Sequence, residues 1–282
     1  MCGIAGIYHF NGIQVEKKTI DTLTDAVAHR GPDGRGIWFN SSSDLALGHR
    51  RLSILDTSEN GSQPMSYDNG RYCITLNGEI YNFIEIKEEL GKAGYIFNTQ
   101  TDTEVILAAY KCWGQGMLDK FNGMWAFAIY DTVEKSLFLS RDRFGVKPLY
   151  YYNEEGKFYF SSEVQAIHKL LGYKHELNED TIKNIAQGGF QSHGTAQTYL
   201  KDVFSLPGGY NLILKNGEIE LMEWYKLKKV AVPRSFKKQA IRLKELITSA
   251  CLLRMRSDVP VATCLSGGLD SGAITAVIAN YE

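Results

Sequence analysis

The five cysteines of this 282-residue chain contain no C-x-x-C pair, and its six histidines show neither an i, i+4 pair nor an H-E-x-x-H pattern. Those gaps argue against a disulfide framework and against a protein-built zinc or other transition-metal site. Basic excess is missing too. Lys plus Arg number 31 against 32 Asp plus Glu, so bulk charge offers no hold on nucleic acid or anionic lipid. No uninterrupted apolar run nears the roughly 18 residues that span a bilayer, and the start lacks a basic segment followed by an apolar one. The expectation is a soluble cytoplasmic protein with no membrane, no nucleic-acid partner and no metal held by its own side chains. What is present is ordinary globular material, 44% hydrophobic and 22% charged, enough for one large domain or two ordinary ones. Cys73, Cys112, Cys251 and Cys264 sit in apolar settings and read as reduced core residues. Cys2 stands apart, at the chain end before a glycine-spaced apolar run, MCGIAGIY.

The first 225 or so residues alternate strand-like and helix-like stretches. GIAGIYHF predicts a strand at the terminus; Ile20, Leu23 and Val27 recur at helical spacing and predict a helix ending before Gly31-Pro32. RYCITL alternates as a half-buried strand should. Phe83, Ile86 and Leu90 mark a second helical face, broken at Gly91 and Gly94, and TDTEVILAAYKCW opens a third with capping-box spacing from Thr101 to Glu104. MWAFAIYD, KSLFLSRD, PLYYYN and KFYFSSE then follow through tight turns, which implies antiparallel pairing and an α+β layered fold, not a repeating βαβ order. Residues 226–238, KLKKVAVPRSFKK, read as a solvated linker. Beyond them a helical stretch, the apolar strand VPVATCL, the turn SGGLDS and the helical GAITAVIANY compose the first βα unit of a parallel sheet, and the chain stops at Glu282 before a second strand.

Cys2 carries a chemical possibility of its own. With the initiator Met removed, one residue holds both a thiol and a free α-amine of pKa about 7.7, the range a general base needs at neutral pH. A thiol beside its own base is an activated nucleophile without a histidine. Taken alone, Cys2 also reads as a plain buried cysteine of the first strand.

HRGPDGRG, HRRLSILD, LNGEIYN, TDTEVI, FNGMWAFAIYD and LSRDRFGVKPLYY, in this order behind MCGIAG, resemble the class II glutamine amidotransferases over roughly the first 225 residues. The resemblance implies an N-terminal nucleophile hydrolase domain over residues 2–225, a four-layer αββα sandwich, with Cys2 as nucleophile. Attack on a carboxamide develops negative charge on its oxygen, for which Asn77 can offer its side-chain NH2 and Gly78 a backbone N–H unobstructed by a Cβ. Asn-Gly is equally a strong hairpin signal, and a turn can present the same donors. Arg51 suits the α-carboxylate of glutamine, with a planar fork that a lysine lacks, while Arg50 competes for that role. The resemblance places Glu79 and Asp102 at the α-ammonium and adds Leu52 and Ile54 to the glutamine-binding set. Asp102 is also favoured in a first helical turn by the dipole alone. HRGPDG is expected to shape the site wall, Arg141, Asp142 and Arg143 to form an ion-pair cluster, and Tyr150 to Tyr152 to serve as core and sheet surface. Gly3 and Gly6 are expected to let neighbouring backbone approach the site.

CLSGGLDSG lacks the G-K-[ST] of a Walker A loop, yet sets Ser266, Gly267 and Gly268 between a strand and a helix, where backbone N–H groups can converge on an anion. A Gly-rich turn without a ligand is the alternative. The loop resembles that of the ATP pyrophosphatases, which adds Leu265, Asp270 and Ser271 to an ATP-binding set. Behind a glutaminase domain, and after MRSDVP, it makes the chain resemble the glutamine-hydrolysing asparagine synthetases. That resemblance implies that residues 239–282 begin an incomplete ATP-binding domain. It also implies ATP and Mg2+ as cofactors, and glutamine, aspartate and ATP as partners, with a homodimer left open. For the present chain the expectation is glutamine hydrolysis without synthesis. An amidotransferase acting on a sugar or β-lactam precursor, or a non-catalytic relative, are the alternatives.

Overall fold

The computed structural model describes residues 1–172, 176–188 and 195–281. His175 and His193, two of the six histidines, lie outside the described residues, as does Glu282. The chain divides into two compact units, Met1–Lys226 and Leu227–Glu282.

In the first unit the alternating stretches form strands β1 (Gly3–His9), β2 (Gly34–Phe39), β3 (Leu45–Arg51), β4 (Met65–Tyr67), β5 (Tyr72–Ile80), β6 (Gly123–Asp131), β7 (Ser136–Arg141), β8 (Tyr150–Glu154), β9 (Lys157–Ser161), β10 (Val203–Ser205), β11 (Tyr210–Lys215) and β12 (Glu218–Glu223). They pair as two six-stranded sheets, ordered β10-β8-β9-β1-β3-β2 and β12-β11-β7-β6-β5-β4, and the pairings are antiparallel. The helices are α1 (Lys17–Asp25), α2 (Phe83–Lys92), α3 (Asp102–Trp113), α4 (Met117–Lys120), α5 (Val164–Leu170) and α6 (Glu179–Ala186).

Three apolar cores separate four layers. Ile20 and Leu23 of α1 and Ile167 of α5 cover the first sheet through Ala5, Ile7 and Ala46. Ile4, Leu47 and Phe160 of that sheet meet Cys73, Ala128 and Leu139 of the second between the sheets. Phe83, Ile86 and Leu90 of α2, with Val105 to Ala109 of α3, cover the far face of the second sheet. The arrangement is a four-layer αββα sandwich.

Several local expectations are corrected. RYCITL is buried on both faces, because β5 runs inside a sheet with layers on either side: Tyr72, Ile74 and Leu76 face the helices and Cys73 faces the other sheet. Gly91 stays inside α2, and it is Gly94, at φ +91°, that turns the chain away. Thr101 caps α3 by accepting the Glu104 N–H at 3.2 Å, but the Glu104 carboxylate reaches past it to the N–H groups of Asn98 and Thr99. Gly3 and Gly6 make room for core side chains rather than for backbone at the site. A Cβ there would stand 2.8 Å from Val27 Cγ2 and 2.1 Å from the Phe160 ring, respectively.

The second unit holds helices α7 (Phe236–Arg254) and α8 (Leu269–Ala279). The expected linker is without helix or strand as far as Ser235, and its last three residues open α7. VPVATCL is not a strand. A strand exists only through the ladder it shares with a neighbour, and among the described residues of this unit there is none to pair with. No helix among the described residues is long and apolar enough to cross a membrane.

Candidate active site

Because β1 opens at Gly3 and pairs with the end of β3, Gly3 opposite Arg50, the chain end is delivered beside the residues that follow β3. The Cys2 sulfur lies 3.4 Å from the Leu52 N–H nitrogen, which donates to it, and 3.6 Å from the Leu52 carbonyl. HRGPDG buttresses this junction. Arg30 Nε donates to the Cys2 carbonyl at 3.0 Å, the Asp33 carboxylate accepts the Ser53 N–H at 2.9 Å, and Gly31 packs so closely on β3 that a Cβ would fall 2.3 Å from the Arg50 carbonyl carbon.

The second sheet supplies Asn77, Gly78 and Glu79. They do not form a hairpin: they lie in β5, opposite Ala126, Trp125 and Met124 of β6, and the ladder holds them extended. Where Gly78 points follows from its neighbours. Trp125, its partner, gives its N–H to the Asp142 carboxylate and its carbonyl to the Asp142 N–H, so the Gly78 N–H is turned away from β6. Two residues earlier, Leu76 points the same way, and there its N–H meets Gln63 Oε1 at 2.6 Å while its carbonyl accepts from His49 Nε2 at 3.0 Å. Burial holds His49 at about 4, so the ring is neutral and the assigned Nε2–H makes a simple donor bond between the sheets.

Asn77 is 1% exposed, yet neither its Nδ2 nor its Oδ1 has a hydrogen-bond partner. A buried amide left unpaired is costly, and such groups call for a ligand. Asp102, at the start of α3, is also buried and accepts the Ile80 N–H at 2.9 Å. Burial raises its carboxyl to about 7, the Ile80 N–H works against that rise, and the Glu79 charge adds to it.

Cys2, Arg51, Leu52, Ile54, Asn77, Gly78, Glu79 and Asp102 all line one small cavity of about 60 Å3, together with Met1 and Lys147. Arg50 is not among them and pairs with Asp25 instead, which separates the two adjacent arginines. The Arg51 guanidinium is seated by the carbonyls of Ser58 (2.7 Å), Leu55 (3.2 Å) and Asp56. Burial raises the Cys2 thiol, while the Leu52 N–H, the terminal amine and Lys147 pull it down. Burial lowers the amine of Met1.

Among the described residues, Arg141, Asp142 and Arg143 form no ion pair with one another. The buried Asp142 carboxylate is satisfied by the N–H groups of Trp125, Phe144, Val146 and Lys147, and Arg141 and Arg143 donate mainly to backbone carbonyls, with one Arg141 bond to Ser205 Oγ. Backbone groups turned inward by the loop offer both signs of partner at shorter range than the neighbouring side chains do. Lys147 and Gln63 had no assigned role in the sequence; each becomes visible only through contacts with strands distant along the chain.

In the second unit, Leu265 is exposed and the loop after it is closed by Ser266 Oγ against Ser271 Oγ (2.9 Å) and by Ser271 Oγ donating to the Gly268 carbonyl (3.1 Å). Gly267 takes φ +82°, and Gly268 caps α8, whose first turn holds Asp270.

The glutamine amidotransferase domain family matches residues 1–225, and the asparagine synthase family matches residues 242–282. The chain is 40% identical to a Methanocaldococcus jannaschii protein assigned by name as glutamine-hydrolyzing asparagine synthetase 2, over 100% of this chain and 57% of that one. It is 35% identical to the glutamine-hydrolyzing asparagine synthetase 1 of Bacillus subtilis, over 100% and 44%, and 32% identical to asparagine synthetase B of Escherichia coli, over 100% and 45%. The chain thus spans about half the length of the curated relatives it matches. Among solved structures, the fold is shared with the glutamine phosphoribosylpyrophosphate amidotransferase of B. subtilis complexed with ADP and GMP, at TM-score 0.61 and 18% identity over 99% of this chain and 64% of that one. With 225 of its 282 residues matched, the chain belongs to the glutamine amidotransferase domain family.

Proposed function

We propose that this chain hydrolyses glutamine to glutamate and ammonia at Cys2, Arg51, Asn77, Gly78, Glu79 and Asp102. The observation that carries the reading is the Asn77 amide, buried and unpartnered, in the cavity that also holds the Cys2 sulfur. Met1 lines the same cavity, so its removal would free the α-amine of Cys2 and widen the space at once. The α-amine takes the thiol proton, and the sulfur adds to the side-chain carbonyl carbon of glutamine. The oxyanion forms against Asn77 Nδ2–H and the Gly78 N–H, whose direction away from β6 suits it. The amine then protonates the departing ammonia, leaving a γ-glutamyl thioester. Water, deprotonated by the same amine, releases glutamate and restores the thiol. Arg51 would take the α-carboxylate with its remaining donors, and Glu79 with Asp102 the α-ammonium, as Leu52 and Ile54 wall the side chain.

In the longer proteins this chain resembles, the ammonia would replace an oxygen of an aspartate carboxylate. The Ser266–Ser271 loop fits a phosphate in one respect: a left-handed Gly267 and a capping Gly268 present the first N–H groups of α8 to an incoming anion. Leu265 would flank it. For Mg2+ this loop offers the Asp270 carboxylate, and among the described residues no group of three acidic, Cys or His side chains gathers there. ATP, when bound, supplies the activation that makes a carboxylate oxygen replaceable.

N-terminal sequencing together with labelling by a glutamine-analogue diazoketone tests the hydrolytic reading. Expected are a chain beginning at Cys2, one label per chain at that residue, and loss of turnover by on the order of 10³-fold or more in Cys2→Ala. A retained Met1, or a label on another cysteine, would overturn it.

A further inference from the structure

The loop from Arg141 to Lys147 is pinned more heavily than a connection between β7 and β8 requires. The main chain of Lys147 is held on both sides, its N–H by Asp142 Oδ2 at 3.0 Å and its carbonyl by Arg141 Nε at 2.6 Å. Asp142 is in turn locked to Trp125 of β6, the residue opposite Gly78. This frame sets Lys147, 6% exposed, on the wall of the cavity that holds Cys2. The ammonium forms no salt bridge and donates no hydrogen bond among the described residues. A largely buried ammonium without an ion-pair partner is costly to maintain, and a frame that holds it on the cavity wall points to a use for the charge.

We propose that Lys147 is the fixed cation that stabilises the Cys2 thiolate as it forms, when the thiol proton passes to the α-amine of residue 2. The proposal rests on Cys2 being the glutaminase nucleophile. A positive charge on the wall of the cavity lowers the proton affinity of the sulfur and so eases transfer of the thiol proton to the amine. The other charged groups facing the sulfur leave this task open. Arg30 is committed to the Cys2 carbonyl and Glu163, and Arg51 to three loop carbonyls. Asp102 opposes the thiolate, Asp33 acts on the terminal amine in the sense opposite to Lys147, and Glu79 of β5 lines the same cavity. Lys147 itself is pulled down by burial and supported by Glu79 and Cys2, which marks the three as one electrostatic group.

The test is the full chain carrying Lys147→Met, with Lys147→Gln as a second neutral variant and Lys147→Arg to retain the charge. Iodoacetamide alkylation of Cys2, followed across pH by peptide mass spectrometry, should shift its midpoint upward by about one pH unit in Lys147→Met and Lys147→Gln and little in Lys147→Arg. The acid limb of kcat/KM should move with it, so that activity lost near the wild-type midpoint, about tenfold, returns at high pH. An unmoved alkylation midpoint overturns the proposal, as does a rise in KM at every pH without a shift, since the cation would then serve the substrate. A midpoint shifted in the variants, with a wild-type chain that does not hydrolyse glutamine, would instead sink the glutaminase reading and leave the Lys147 effect standing.

Discussion

The two units treat similar apolar patterns in opposite ways. In Met1–Lys226, Ile20, Leu23, Ile74 and Leu90 fall where the periodicity sets them and are fully buried. In Leu227–Glu282, Val261 and Leu265 are 45% and 64% exposed, and Cys251 is the buried apolar side chain of α7. Helices α7 and α8 still form, because a helix closes its hydrogen bonds within itself. VPVATCL does not become a strand, because its backbone groups need a neighbour. Periodicity states which face seeks burial; only partner elements supply it.

The same contrast separates stability from chemistry inside the first unit, and three measurements can break it. The largest effect belongs to Asn77→Ala. With Asn77 in the proposed role of oxyanion donor, its loss should lower kcat by about 10²-fold. Since the amide bonds to nothing in the protein, the urea midpoint should hold or rise. A large loss of stability with kcat retained would make Asn77 a structural residue.

Next comes the pH response of Asp102. Its carboxyl is raised to about 7 by burial, above the ordinary 3.8, so the folded state keeps a proton that the unfolded chain releases. The stabilisation is complete below the unfolded value and is lost as pH rises through about 7. Asp102→Asn, neutral throughout, should therefore flatten the fall in urea midpoint between pH 5 and pH 8 relative to wild type. Parallel profiles would show that Asp102 does not titrate in that window.

The smallest effect is expected from ending the chain at Lys226. The cores of the first unit draw only on residues before that point, so the melting temperature should change by no more than about 3 °C and the proposed glutamine hydrolysis should persist. A collapse of either would mean that the second unit supports the first.

Much of the site was legible because its residues sit in contiguous motifs whose chemistry is local: Cys2 at a chain end, Asn77-Gly78-Glu79 in one run, Arg51 beside Leu52. The misreadings share a cause. Asn77-Gly78 was ambiguous because two residues cannot reveal the nine-residue ladder that extends them. Arg141 and Asp142 suggested an ion pair because side-chain charge is visible in a sequence, whereas the carbonyls and N–H groups that satisfy them are presented by a loop conformation. Lys147 lies in a motif that was recognised, yet its place beside Cys2 depends on contacts across about 145 residues of chain.

By itself the sequence determined the α+β class, the helical faces, the order of the motifs and the chemical inventory of the site, since these depend on spacing and side-chain type. Tertiary structure decided the rest: that Gly78 turns its N–H away from β6, that Asn77 stays unpaired, that Arg51 and not Arg50 reaches the cavity, and that Lys147 stands there too. Each of those outcomes is a competition between partners distant in the chain, and pairing between strands settles it.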